Sequence, residues 1–285
     1  MKLITFKRHS DIRTGVFLDG DVYDITEHAG TMNDVITAND VKGIEKLIHS
    51  KPLTRVNVEQ VEILAPIQEV VRNIFCIGWN YLDHFNEVKN EDKTLPLRPT
   101  VFTKATKAVT GPYDEIKIAK ELSEYFDYEA ELAVVIGKTG KNIDEKEADA
   151  HIFGYMCGND MSARDIQNAH GGQWFMGKSI DGTCPIGPYL VTKEEIEDIQ
   201  NLNIECKVNN QTVQSSNTKH MIFPVLKLIS YLSKGITLLP GDIILTGTPS
   251  GVGFKKQPPL LLGEGDVVEV KIDQLGSIKN KIRVI

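Results

Sequence analysis

Three times in the second half of this chain a turn opens onto a short apolar run. Asn209-Asn210, a pair that tolerates positive φ, lies between the arms of a hairpin over residues 202–213. Pro240-Gly241-Asp242 leads into a strand over 243–246, and Gly265-Asp266 into another over 267–272. Residues 129–137 add a strand with Ala130, Leu132, Val134 and Ile136 on one face. Helical spacing is read within 35–49, at Val41, Ile44, Leu47 and Ile48, and over 225–233, opened near Pro224 and stopped by Gly235. Turn-bounded strands at this spacing predict a β-dominated α+β fold. They exclude the regular strand–helix alternation of a Rossmann or TIM repeat.

Residues 1–65 read as a small N-terminal α/β module. A hairpin over 15–25 turns through Asp19-Gly20-Asp21, and the helical stretch follows. Ala65-Pro66 is the expected hinge, because the residue before proline is pushed towards extended conformations. Residues 66–285 then form the larger domain, a division that 285 residues allow. A net charge of −7 argues against a nucleic-acid partner, since phosphate binding wants a basic excess. The four cysteines, Cys76, Cys157, Cys184 and Cys206, form no C-x-x-C pair and read as reduced core thiols. Charge at Lys2, Lys7 and Arg8 interrupts the start before a signal peptide's apolar segment can form, and no stretch reaches membrane-span length. The expected location is cytoplasmic, with no membrane partner.

Glu129 and Glu131 are two apart in a strand, so both carboxylates leave it on one face. Ala133 and Val135 follow on that face, so one end of the strand faces something ionic. Paired carboxylates repel unless a cation neutralises them. A third, Asp160, lies in the loop Gly158-Asn159-Asp160-Met161-Ser162. Three oxygen ligands suit a hard ion, Mg²⁺ or Mn²⁺. The alternative is a solvated strand face whose glutamates pair with lysines. His84 and Glu87, three apart, share a face of a short helix. The carboxylate can orient the imidazole and make it a base; the alternative is a surface pair. Residues 86–93 are polar, as in a lid.

Six segments together resemble the fumarylacetoacetate hydrolase family. They are residues 76–87, 127–132, 159–167, 177–182, 217–218 and 240–253, in that order, and the resemblance runs from about Ile74 to the C-terminus. It implies a mixed, strongly bent β-sandwich roll, assembly as a homodimer, and Glu129, Glu131 and Asp160 as ligands of Mg²⁺ or Mn²⁺. It further implies that His84 and Glu87 activate water on a segment that closes over ligand, and that Lys178 faces the substrate carboxylate or enolate oxygen. Arg164 and Gln167 would donate to the same ligand, although Arg164 could instead pair with Asp165 or another acid. Thr248 and the amides of its glycine-rich loop would hold a substrate carboxylate. That loop lacks the G-x-x-x-x-G-K-[ST] pattern of a nucleotide-binding loop. Trp79 departs from the mitochondrial acylpyruvases of the family, which tend to carry arginine there; if that arginine selects substrates, a specific acylpyruvase activity does not transfer.

The implied chemistry is cleavage of a small 2-oxo acid through an enolate that the bound ion stabilises. Acylpyruvate hydrolysis would use water activated by His84, and oxaloacetate decarboxylation would need no such water. The alternative enzyme is an isomerase of the 2-hydroxyhepta-2,4-diene-1,7-dioate or 5-carboxymethyl-2-hydroxymuconate type, which only moves a proton. The alternative from another class is a non-catalytic regulatory protein that binds 2-oxo acids.

Overall fold

The computed structural model describes residues 1–88, 94–169 and 171–285. Among them the architecture is mixed α+β and β-dominated, as the turn spacing predicts. A long sheet runs in the order Arg55–Asn57, Asp21–Asp24, Asp11–Leu18, Lys2–Arg8, Cys184–Thr192, Ile152–Asn159, Ala130–Ile136, Ile243–Leu245, Ile74–Gly78, Thr100–Lys104. A five-stranded sheet runs Gln211–Asn217, Asn203–Val208, Val267–Ile272, Gly276–Val284, Ile116–Ile118. The first strand pairs with Cys184–Thr192, Leu3 opposite Leu190, so the N-terminal strands extend the sheet that carries the carboxylates.

The strand Ala130–Ile136 is buried along its whole length. Its alternation sorts side chains between two cores. Leu132 and Val134 share one core with Ile204, Val268 and Val270 of the five-stranded sheet, while Ala133 and Val135 share the other with Val35, Ile36 and Ile44 of the N-terminal helices. Glu129 and Glu131 belong to the second face, beyond the reach of its apolar cover. The strand is one residue shorter at each end than the reading of 129–137. At its start the Glu129 N–H donates to the Asn159 side chain, outside the ladder.

The hairpin turns behave as read. Asp19 and Gly20 have φ of 51° and 84°, and Asn209 and Asn210 have 51° and 67°, matching the twist of the strands they join. The helix expected within 35–49 is two helices, Met32–Ala38 and Val41–Ser50. Asn39 adopts φ 49° and ends the first, and the Asp40 carboxylate accepts from the Gly43 N–H and opens the second. Apolar periodicity continues across that break, which is why spacing alone did not reveal it. All four cysteines are free and buried.

Candidate active site

The site begins with strand register. Ala130 pairs with Asn159 and Glu131 with Gly158, so extending the ladder by one sets Glu129 beside Asp160. The Asp160 N–H donates to the Glu129 carbonyl at 2.9 Å, which fixes that register. Opposite Glu131 stands Gly158, where a Cβ would lie 2.8 Å from Leu245 Cδ2. Glu129, Glu131 and Asp160 are all buried, and each offers an oxygen within 4.8 Å of the others. Two carboxylates across a ladder are destabilising without compensation.

Compensation comes from three buried cations. Lys178, ending the short helix Phe175–Lys178, donates to Glu129 Oε2 and Asp160 Oδ2, both at 2.8 Å. Lys104, at the end of Thr100–Lys104, donates to Asp160 Oδ1 at 2.7 Å and to the Met161 carbonyl at 3.1 Å. Arg164 Nη1 lies 2.7 Å from Glu129 Oε1, and its Nε donates to Asp127 Oδ2 at 2.9 Å. Four buried carboxylates thus meet three buried cations. Burial raises the pKa of Glu129, but the Lys178 and Arg164 charges outweigh it and hold the group at about 2. For Glu131 burial and the charges of Asp160 and Glu129 act together, and the pKa is pushed well above the carboxylate range. Burial opposes the Lys178 charge, yet Asp160 and Glu129 raise its pKa. The cluster is short of one positive charge, and Glu131 is where the shortage falls.

His84 and Glu87 lie on the helix Leu82–Val88. His84 is buried, and its Nδ1 is 3.1 Å from Glu87 Oε2. Glu87 Oε1 accepts from the Gly251 N–H at 3.0 Å, so the carboxylate is held from both sides. Residues 89–93, the greater part of the expected lid, lie outside the described residues. His84, Glu129, Arg164, Gln167, Lys178 and Thr248 all line one cavity of about 340 Å³.

The loop over 246–253 has a use inside the protein that its glycine content did not reveal. Its N–H groups clasp protein carboxylates: Gly247 donates to Glu131 Oε2 at 2.7 Å, Gly251 to Glu87, and Gly253 to Asp127 Oδ1 at 2.8 Å. Gly247 has φ 98°, and a Cβ there would stand 2.8 Å from Asn80 Cβ, so glycine is required for this approach. Thr248 Oγ1 accepts from Gln214 Nε2 at 2.8 Å, which leaves the hydroxyl proton to be donated. Arg164 pairs with Asp127 and Glu129; Asp165, its neighbour in sequence, instead accepts from Ser123 at 2.6 Å. Gln167 Oε1 accepts from Arg164 Nη1 at 3.0 Å.

Sequence reasoning missed two charged residues. Lys104 is a lone lysine 56 positions from its partner, and no spacing betrays it. Asp127 continues the period of two set by Glu129 and Glu131, so it was readable. Asp127 holds Arg164 and also the amides of Gly253 and Phe254. Breaking one side of a buried pair costs about 3–5 kcal/mol. Asp127→Asn is therefore expected to lower the unfolding free energy in urea by about that much. A loss below about 1 kcal/mol, the worth of an exposed pair, would mean that Glu129 alone holds Arg164.

A β-rich sheet assembly that sets a buried imidazole and a buried carboxylate, His84 and Glu129, in one cavity has the makings of an enzyme site. The match to the fumarylacetoacetate hydrolase C-terminal family covers residues 73–283, and the chain belongs to that family. It is 48% identical to the mitochondrial oxaloacetate tautomerase of Xenopus laevis over 78% of this chain and 68% of that protein. To an oxaloacetate tautomerase of Bacillus subtilis it is 47% identical, over 79% and 74%. Among solved structures, fumarylacetoacetate hydrolase from Exiguobacterium antarcticum matches with TM-score 0.87 and 36% identity over the full length of both chains. Maleylpyruvate hydrolase from a Sphingobium species, in complex with manganese(II) ion and pyruvate, matches with TM-score 0.83 and 28% identity over 100% of this chain and 99% of that one. No helix among the described residues is long and apolar enough to cross a membrane.

Proposed function

We propose that the chain interconverts the keto and enol forms of a small 2-oxo dicarboxylate of the oxaloacetate type. The observation that carries this reading is the single cavity in which His84, held by Glu87, faces Glu129 of the carboxylate cluster. The oxaloacetate tautomerases among its relatives support the substrate class. Glu129, Glu131 and Asp160 would hold Mg²⁺ or Mn²⁺. The fit rests on the donor set, which is all carboxylate oxygen, buried, and one positive charge short at Glu131. When bound, such an ion supplies Lewis-acid polarisation of the 2-oxo group and stabilises enolate charge.

The chain's own residues supply the rest. Glu87 accepts the Nδ1 proton of His84, so Nε2 carries the lone pair that removes a proton from carbon 3. The same nitrogen returns it, and the net change is transfer of one hydrogen between carbon 3 and the 2-oxygen. Lys178 and Arg164 draw the ligand's carboxylate to the charged part of the cavity, and Thr248 can donate to it. Tautomerisation asks less of these groups than cleavage does, because no bond between carbons breaks. Cleavage is the second reading, favoured by the hydrolase structure that holds manganese and pyruvate; there His84 would deprotonate water.

Oxaloacetate offered to the Mn²⁺-supplemented protein tests this directly. Enol and keto forms should equilibrate much faster than in buffer, with pyruvate appearing no faster than spontaneously. Pyruvate released mole for mole would move the assignment to decarboxylation. Tight binding with neither outcome would make the chain a 2-oxo-acid-binding protein without turnover.

A further inference from the structure

The cavity has a second half that the proton chemistry does not use. Trp79, Phe102 and Trp174 line it together with the charged groups. Trp174 stands edge-on to Trp79, centroids 4.8 Å apart at 84°, and to Phe102 at 5.1 Å and 66°. Rings in this arrangement fix one another. Two backbone features make room for the group. A Cβ at Gly78 would lie 2.6 and 2.9 Å from Trp174 ring carbons, so only glycine lets the indole sit there. Trp79 itself adopts φ 55°, an uncommon conformation for so bulky a residue, one that persists only where the surroundings impose it. Phe102 marks the border between the halves, since Lys178 Nζ lies 5.2 Å from its ring centroid.

We infer that Trp174 and Trp79 form a wall that gauges ligand length, admitting short 2-oxo acids and turning away those with a longer chain beyond carbon 3. This deepens the proposed function and rests on its reading of the cavity as a 2-oxo-acid site. A ligand whose paired oxygens lie on the charged half brings its remaining carbons against the three rings. The cavity, at about 340 Å³, is at the small end for ligand sites. Rings packed edge to face resist swinging aside, so each added methylene on that side must find room against ring carbon. The two indoles therefore set specificity without touching the proton that moves.

Binding of two unreactive mimics separates this from the reaction. Oxamate carries the paired oxygens alone, and N-butyl oxamate adds a four-carbon tail. Calorimetry with Mn²⁺ present should show the wild-type chain preferring oxamate. In Trp174→Ala the ratio of the two affinities should shift towards N-butyl oxamate by about 10–100-fold, the range that pocket size commands over one or a few methylenes. Trp79→Gly should shift it the same way, and it suits the positive φ at that position, so it guards against a misfolded first variant. An unchanged ratio in both variants overturns the inference. Oxaloacetate turnover by the wild-type chain, followed in parallel, reads the proposed function separately: no turnover there with a shifted affinity ratio in the variants sinks that reading and leaves the gauge.

Discussion

Glu131→Gln is expected to lose Mn²⁺ binding and, with it, activity. The substitution keeps shape and volume but removes one charge from a cluster in which every carboxylate is buried. Glu129 and Asp160 are already engaged by Lys178, Lys104 and Arg164, and Glu131 is the member those cations do not reach within bonding distance. An arriving cation therefore gains most from Glu131. The fall in affinity should exceed the roughly 10–100-fold that follows loss of a mere partner of a metal ligand. Electron paramagnetic resonance titration of free Mn²⁺ reads this without any substrate. Wild-type protein stripped with EDTA should lose turnover and regain it with Mg²⁺ or Mn²⁺. Full turnover by metal-free protein would end the ion-dependent reading, whatever the variant does.

His84→Ala is the second large effect. A positioned base contributes about 10²–10⁴-fold, and the rate of deuterium exchange at carbon 3 of oxaloacetate should fall by that factor. Mn²⁺ binding should stay near the wild-type value, because His84 bonds to Glu87 and to no member of the carboxylate cluster. Hydrolysis of a 2,4-dioxo acid, if the chain performs it, should fall in step. Spontaneous-type loss of CO₂ should suffer less, since no proton has to be taken first. Equal losses on every substrate would mean that His84 holds the ligand or the segment over it and does not move the proton.

What could be read beforehand divides along physical lines. Period-two spacing carried Glu129 and Glu131 onto one face, and a ladder only one step longer brings in Asp160. The turn pairs at Asp19-Gly20 and Asn209-Asn210 were legible because positive φ restricts residue choice so sharply. Lys104 was not legible: its meaning lies in an ion pair across 56 residues, and local spacing is silent on that. The loop over 246–253 was recognised as glycine-rich, but that its Gly247, Gly251 and Gly253 amides serve Glu131, Glu87 and Asp127 was not read. Glycine frequency shows that something approaches the backbone, not what approaches. The interruption at Asn39 was hidden for a related reason, since both helices bury their apolar stripes in one core.

That loop has a bearing on how such a protein can change over generations. Three carboxylates with different duties hang from one stretch of eight residues, so a shift of its backbone displaces all of them together. Variation there is close to all-or-none, and the proposed ion-holding and proton-moving parts are inherited as a block. The indoles at 79 and 174 hang from other segments than this loop, so a substitution there need not displace those carboxylates. Drift in substrate range therefore has a path through the aromatic side of the cavity that leaves the chemistry untouched, and descendants with one mechanism can diverge in diet.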